Sequence, residues 1–152
     1  MNLPAPDRTV AYPLLFRVLL APMAAIQLVT GLWALLAPRS WYDSYPGLGL
    51  VWVEPTGPYN EHFVTDLGAG LAALAVLALL AAVSLRRALV QAALATWLVF
   101  SLPHFVSHVF AREGLSVVEY WTNLGTVALA AAVPLALLAL SLVKRPVTEP
   151  AA

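Results

Sequence analysis

The chain has 152 residues, 61% of them hydrophobic and only 11% charged, with a mean hydropathy of +0.82. A soluble domain carries about 45–50% apolar and about 25% charged residues, so an ordinary water-soluble domain is excluded, as are disorder and collagen-like structure. Eight basic and eight acidic residues cancel, which leaves no net field to recruit nucleic acid; the absence of cysteine removes disulfides, thiolate metal sites and cysteine nucleophiles.

Between consecutive formal charges lie four long neutral stretches, 18–38, 67–85, 88–111 and 120–143, of 21, 19, 24 and 24 residues. At about 1.5 Å rise per residue each is long enough to cross a hydrocarbon core about 30 Å thick. Ala/Leu-rich runs such as AGLAALAVLALLAAV lack the alternation of barrel strands, so the spans are helices. The expected spans are about 14–36, 61–85, 88–110 and 117–143 in a single domain covering 1–152. The first is too long for the apolar region of a secretory signal and is read as a retained helix, with Arg17 snorkelling to the near interface.

Arg8 and Arg17 precede helix 1, Arg86 and Arg87 join helices 2 and 3, and Lys144 and Arg145 follow helix 4, whereas only Arg39 and Arg112 fall on the other side. The positive-inside rule therefore places both termini and the turn between helices 2 and 3 in the cytoplasm of a multi-pass plasma (inner) membrane protein. Asp43, Glu54, Glu61, Asp66, Glu113 and Glu119 all go to the outer face or the outer helix ends.

The loop after helix 1, PRSWYDSYPGLGLVWVEPTGPYN, is rich in proline, Trp and Tyr. It reads either as an aromatic belt at headgroup depth or as a folded cap over the outer mouth of the bundle, with 48–53 an interfacial run or a brief strand. Asn60 is placed to cap helix 2, with Glu61 complementing the positive end of the helix dipole. His62 and Asp66 are four apart on that helix, and Gly68, Gly70 and Ala72 permit close approach of a neighbour. Helix 3 carries His104 and His108 at the same spacing around SLPHFVSH, with Pro103 expected to kink it, and helix 4 carries Glu119 and Asn123. Gln27, Thr30, Thr96 and Thr126 read as hydrogen-bonding groups between helices.

The start of helix 2, the end of helix 3 and the start of helix 4 share one membrane level, so these pairs are expected to converge on a polar pocket in the outer third of the bundle. In that pocket His62, Asp66, His104 and His108 are candidate ligands of a divalent transition metal such as zinc, iron or copper. Glu61, Glu119 and Asn123 are candidate catalytic groups for acid–base chemistry. The duller alternative is a structural polar cluster that fixes helix register.

The segments PRSWYDSYPG, WVEPTGPYNEHFVTDLGAG and PHFVSH resemble those of small bacterial four-helix membrane proteins of the DoxX-like or domain-of-unknown-function kind. The resemblance implies an integral membrane four-helix bundle and carries over no catalytic residue. The combined expectation is an all-α, up-down four-helix bundle in a lipid bilayer, with a structured aromatic and proline-rich outer loop. Its functional reading is a structural or interaction protein, as a homo-oligomer or beside another membrane subunit; the alternative is a metal-dependent or acid–base enzyme acting on a lipid-like hydrophobic substrate.

Overall fold

The computed structural model describes residues 9–112 and 114–143, so Arg8, Glu113, Lys144 and Arg145 lie outside the described residues. The described residues form four long helices: α1 (Pro13–Leu36), α3 (Glu61–Ser84), α4 (Arg87–Phe110) and α5 (Val117–Ser141). Each is long and apolar enough to cross a membrane. They run up and down and pack pairwise: α1 lies chiefly on α3 and α4 chiefly on α5, with a thinner seam between α3 and α4. α1, α4 and α5 continue through Pro22, Pro103 and Pro134 respectively.

The α1–α3 seam is set by two glycines. A Cβ added at Gly31 would stand 2.6 Å from the Ala72 amide nitrogen and 2.9 Å from the Gly68 carbonyl oxygen, and one added at Gly68 would collide with the Leu35 backbone. The helices thus meet backbone to backbone, the close approach that small residues permit in membranes. Gly70 is not part of this seam, since a Cβ there would meet nothing within 4 Å.

All four helices contribute to the core at the end bearing the α3–α4 turn, where Phe16, Leu20, Ala81, Val90, Leu94 and Leu137 pack together. Leu85 ends α3 in the left-handed conformation usual for a helix C-terminus, and its carbonyl accepts from the Val10 amide at 3.1 Å. Arg17 Nε reaches the Ala82 carbonyl at 3.4 Å, so its head is tied to the last turn of α3. Midway along the bundle Trp97 fills the axis against Ala24, Leu74 and Ala78, and its Nε1 donates to the Ala130 carbonyl at 3.1 Å.

At the opposite end the connection from α1 to α3 is folded into a cap. It comprises the short helix α2 (Pro38–Ser44), the hairpin β1 (Pro46–Gly47) and β2 (Leu50–Val51), and a 3-10 turn at Glu54–Thr56. Leu48 and Gly49 make the hairpin turn, both with positive φ. Aromatic contacts hold the cap together: Trp41 and Tyr45 lie 5.1 Å apart, Tyr45 and Trp52 5.8 Å, and Tyr42 and Tyr59 5.1 Å between ring centroids. The Tyr42 hydroxyl donates to the Gly57 carbonyl, closing the loop on α2. Of the two sequence readings of this loop, the folded cap is the one observed.

Candidate functional site

Helix ends first fix where the polar side chains go. The Asn60 side chain accepts from the Phe63 amide at 3.1 Å and starts α3, as its spacing indicates. α5 begins with a reciprocal cap: Ser116 Oγ accepts from the Glu119 amide at 3.2 Å, and Glu119 Oε2 accepts from the Ser116 amide at 3.0 Å. The other carboxylate oxygen of Glu119 accepts from the Val51 amide at 3.1 Å, so this residue ties the hairpin to α5. The Ser-x-x-Glu spacing at 116–119 is the sequence signature of this cap, which gives Glu119 a structural role beside the catalytic one expected of it.

Between the cap and Trp97, the four long helices line a partly open cavity of about 380 Å³. α1 lends Gln27 and Thr30, and α3 lends Phe63, Leu67 and Leu71. α4 contributes Phe100, His104 and His108, and α5 contributes Asn123, Thr126 and Val127. Trp41, Tyr45, Trp52 and Val53 of the cap form the roof. The wall is mostly apolar with a few polar groups, the usual character of a small-molecule site.

His104 stacks on Phe100 at 5.1 Å and meets His108 edge to face at 4.4 Å between ring centroids. Asn123 is almost wholly buried, 3% exposed, and its Oδ1 makes no hydrogen bond. The indole nitrogens of Trp41 and Trp52 are likewise buried without partners. Ser101, one turn before His104 on α4, is buried with an unpartnered hydroxyl. Outside the spans, burial raises the Tyr45 phenol above its ordinary range, with a hydrogen bond from Thr30 opposing. The Arg39 guanidinium is held above its usual value by Asp43, to whose Oδ2 its Nε donates at 2.8 Å.

The expected convergence is therefore partial. His104, His108 and Asn123 share the cavity, while His62 and Asp66 lie on the outward face of α3, their side chains 89% and 68% exposed and 3.4 Å apart. Phe63 and Leu67, one position further along the helix from each, are the α3 residues that reach the cavity. Glu61 is exposed in the first turn of α3. Among the described residues no three His, Asp or Glu side chains come close enough to hold a metal ion, so the expected grouping of His62, Asp66, His104 and His108 is not formed. The hydroxyls of Thr96 and Thr126 donate to Ala92 and Thr122 one turn back on their own helices rather than across the bundle.

Compared with family models, with curated proteins and with solved structures, the chain matches none, so kinship to DoxX-like proteins has no support.

Proposed function

We propose that this four-span membrane protein binds a small uncharged molecule from the bilayer in the cavity beneath its cap, and that the whole chain acts as one domain for that purpose. The observation that carries this reading is the cavity itself: about 380 Å³ between the four helices and the cap, with Gln27, Thr30, His104, His108 and Asn123 among the polar groups of an otherwise largely apolar wall. A few polar groups in an apolar wall fix the orientation of a bound small molecule, and imidazole, amide and hydroxyl groups offer it both donors and acceptors. The volume lies near the low end of the range for ligand pockets, about 300–1,000 Å³. His104 and His108 supply a second polar wall, whether for hydrogen bonding alone or for proton exchange with the bound molecule.

The test uses bromobenzyl alcohol as a compact probe with the protein in phosphatidylcholine nanodiscs. Bromine quenches indole fluorescence on contact, and Trp41 and Trp52 lie at the cavity. Saturable quenching that unbrominated benzyl alcohol competes away, weakened at least about tenfold by Asn123→Leu, is the expected result; a tenfold change corresponds to about 1.4 kcal/mol. Quenching that rises linearly with probe and ignores competitor overturns the reading.

The cap is assigned to the extracytoplasmic side of the plasma membrane. Arg17, Arg86 and Arg87 lie at the turn end, and Arg39 and Arg112 at the capped end. The chain has no cysteine, so a single Cys at Gly57 reports topology directly. Labelling of intact cells by an impermeant maleimide is expected, and protection until lysis overturns the orientation.

A further inference from the structure

A groove borders the cavity on its α1 side. It has a volume of about 460 Å³, runs along α1 past Ala25, Ile26 and Val29, and shares Thr30, Tyr45, Trp52 and Thr126 with the cavity. α1 packs on α3 and α5 on α4, with α1 and α5 making no extensive contact, so the groove occupies the open seam of the bundle. A second groove of about 430 Å³ on the α3–α4 side shares only the apolar Leu67, Leu71 and Phe100 with the cavity. The two grooves differ in chemistry where they border it: hydroxyls and an indole on one side, hydrocarbon and a phenyl ring on the other.

Building on the ligand cavity argued above, we infer that the ligand is an uncharged single-chain amphiphile with a hydroxyl head, which enters between α1 and α5 and leaves its chain in the groove past Val29. The head is uncharged because no Lys, Arg, Asp or Glu lines the cavity, and an ion buried beside neutral imidazoles would lose its hydration without a fixed countercharge. It carries a hydroxyl because that group both donates and accepts, which suits a wall whose polar residues, Gln27, Thr30, His104, His108 and Asn123, offer both kinds of partner. The polar path of Thr30 and Thr126 lets such a head pass from the groove to the cavity without losing every hydrogen-bond partner on the way. The chain meanwhile moves only from lipid to an apolar groove. No hydrocarbon is exposed to water at any point, so the route carries no hydrophobic penalty.

The experiment compares two brominated alcohols, bromododecanol and the compact bromobenzyl alcohol, by tryptophan quenching in phosphatidylcholine nanodiscs, on the intact chain and on variants that fill each groove. Val29 is 66% exposed and lines the α1 groove outside the cavity, so Val29→Trp fills the groove at the lipid face. Val99, 77% exposed, is the equivalent position on the α3–α4 side. Val29→Trp is expected to weaken bromododecanol at least about tenfold, equivalent to about 1.4 kcal/mol, while leaving bromobenzyl alcohol within about twofold. Val99→Trp is expected to leave both unchanged. Ile26→Trp repeats the block should Val29→Trp fail to fold, with retained compact-probe binding as the sign of an intact cavity. If Val29→Trp and Ile26→Trp spare bromododecanol, or Val99→Trp excludes it instead, the α1–α5 route is wrong and the cavity reading stands. Bromododecanoate binding as tightly as the alcohol overturns the uncharged head. Absence of competable binding by either alcohol to the unaltered chain overturns the cavity reading itself.

Discussion

The imidazole rings of His104 and His108 meet edge to face with centroids 4.4 Å apart, one helical turn from each other on the wall of the cavity. Two imidazoles on adjacent turns are half of a tetrahedral site, but among the described residues no third His, Asp or Glu joins them. Elemental analysis of protein purified without chelator is expected to find transition metal well below one equivalent, unchanged by His104→Ala/His108→Ala. One equivalent of zinc, iron or copper that disappears in the double variant would show that a ligand set forms in the membrane.

Gly31 and Gly68 set the distance between α1 and α3, so an added methyl has only backbone to push against. Overpacking of this kind costs about 1–3 kcal/mol. Gly31→Ala and Gly68→Ala are each expected to lower the thermal unfolding midpoint in detergent. Gly70→Ala, with open space around it, should be neutral or mildly stabilising, since alanine is favoured over glycine in a helix by about 1 kcal/mol. Equal effects at Gly68 and Gly70 would remove the seam as the cause.

How much of this was legible beforehand depends on what each pattern encodes. Four spans follow from hydropathy and length, and the cap on α3 follows from Asn60, because both are local. Which face of α3 turns inward is not local: lipid and protein core are both apolar, so the helix has no hydrophobic side to point the way. The small residues held the missing information. At about 100° per residue, Asp66 stands about 200° around the helix from Gly68. Once Gly68 lies against α1, Asp66 must face away from it. Spacing of i, i+4 puts two side chains on one face without saying which face, and that is why His104 and His108 reached the cavity while His62 and Asp66 did not.

Glu119 closes the α5 cap and also holds the Val51 amide. Glu119→Ala is expected to cost about 0.5–2 kcal/mol, the range for losing a helix cap. It should also speed hydrogen exchange at Val51 selectively, and unchanged exchange there would show that the hairpin is held by its aromatic contacts alone.

Leu48 sits at the hairpin tip with φ of 57° and its side chain fully exposed. A left-handed conformation costs a residue with a Cβ about 1–2 kcal/mol, and Asn tolerates it better. Leu48→Asn is expected to raise stability by a fraction of that amount with no change in probe binding. A loss of stability would show that the leucine rests on lipid headgroups or another chain.

The Tyr45 phenol is buried against Trp41 and Trp52, and burial raises its ionisation above the usual value of about 10. The unfolded chain ionises first, so the stability from the neutral buried phenol is complete below about pH 10 and declines as pH rises through the folded value. Burial also raises the Tyr59 phenol, so an ultraviolet titration at alkaline pH is expected to show a late component that Tyr45→Phe reduces, and a late component unchanged by Tyr45→Phe would place the Tyr45 hydroxyl in water.

Asn123 gives the sharpest separation between a structural and a binding role. If the amide existed to join helices, its carbonyl would have a partner on α1, α3 or α4; it has none. Replacing it by leucine, of similar volume, removes an unsatisfied buried acceptor and is expected to raise the unfolding free energy by up to about 1–3 kcal/mol. The same change removes a polar residue from the cavity wall, so stability and binding should move in opposite directions. A structural amide predicts the reverse pairing, with stability lost and compact-probe binding reduced only as far as the fold loosens. Thermal midpoint and bromobenzyl alcohol affinity, measured on one preparation of Asn123→Leu, decide between them.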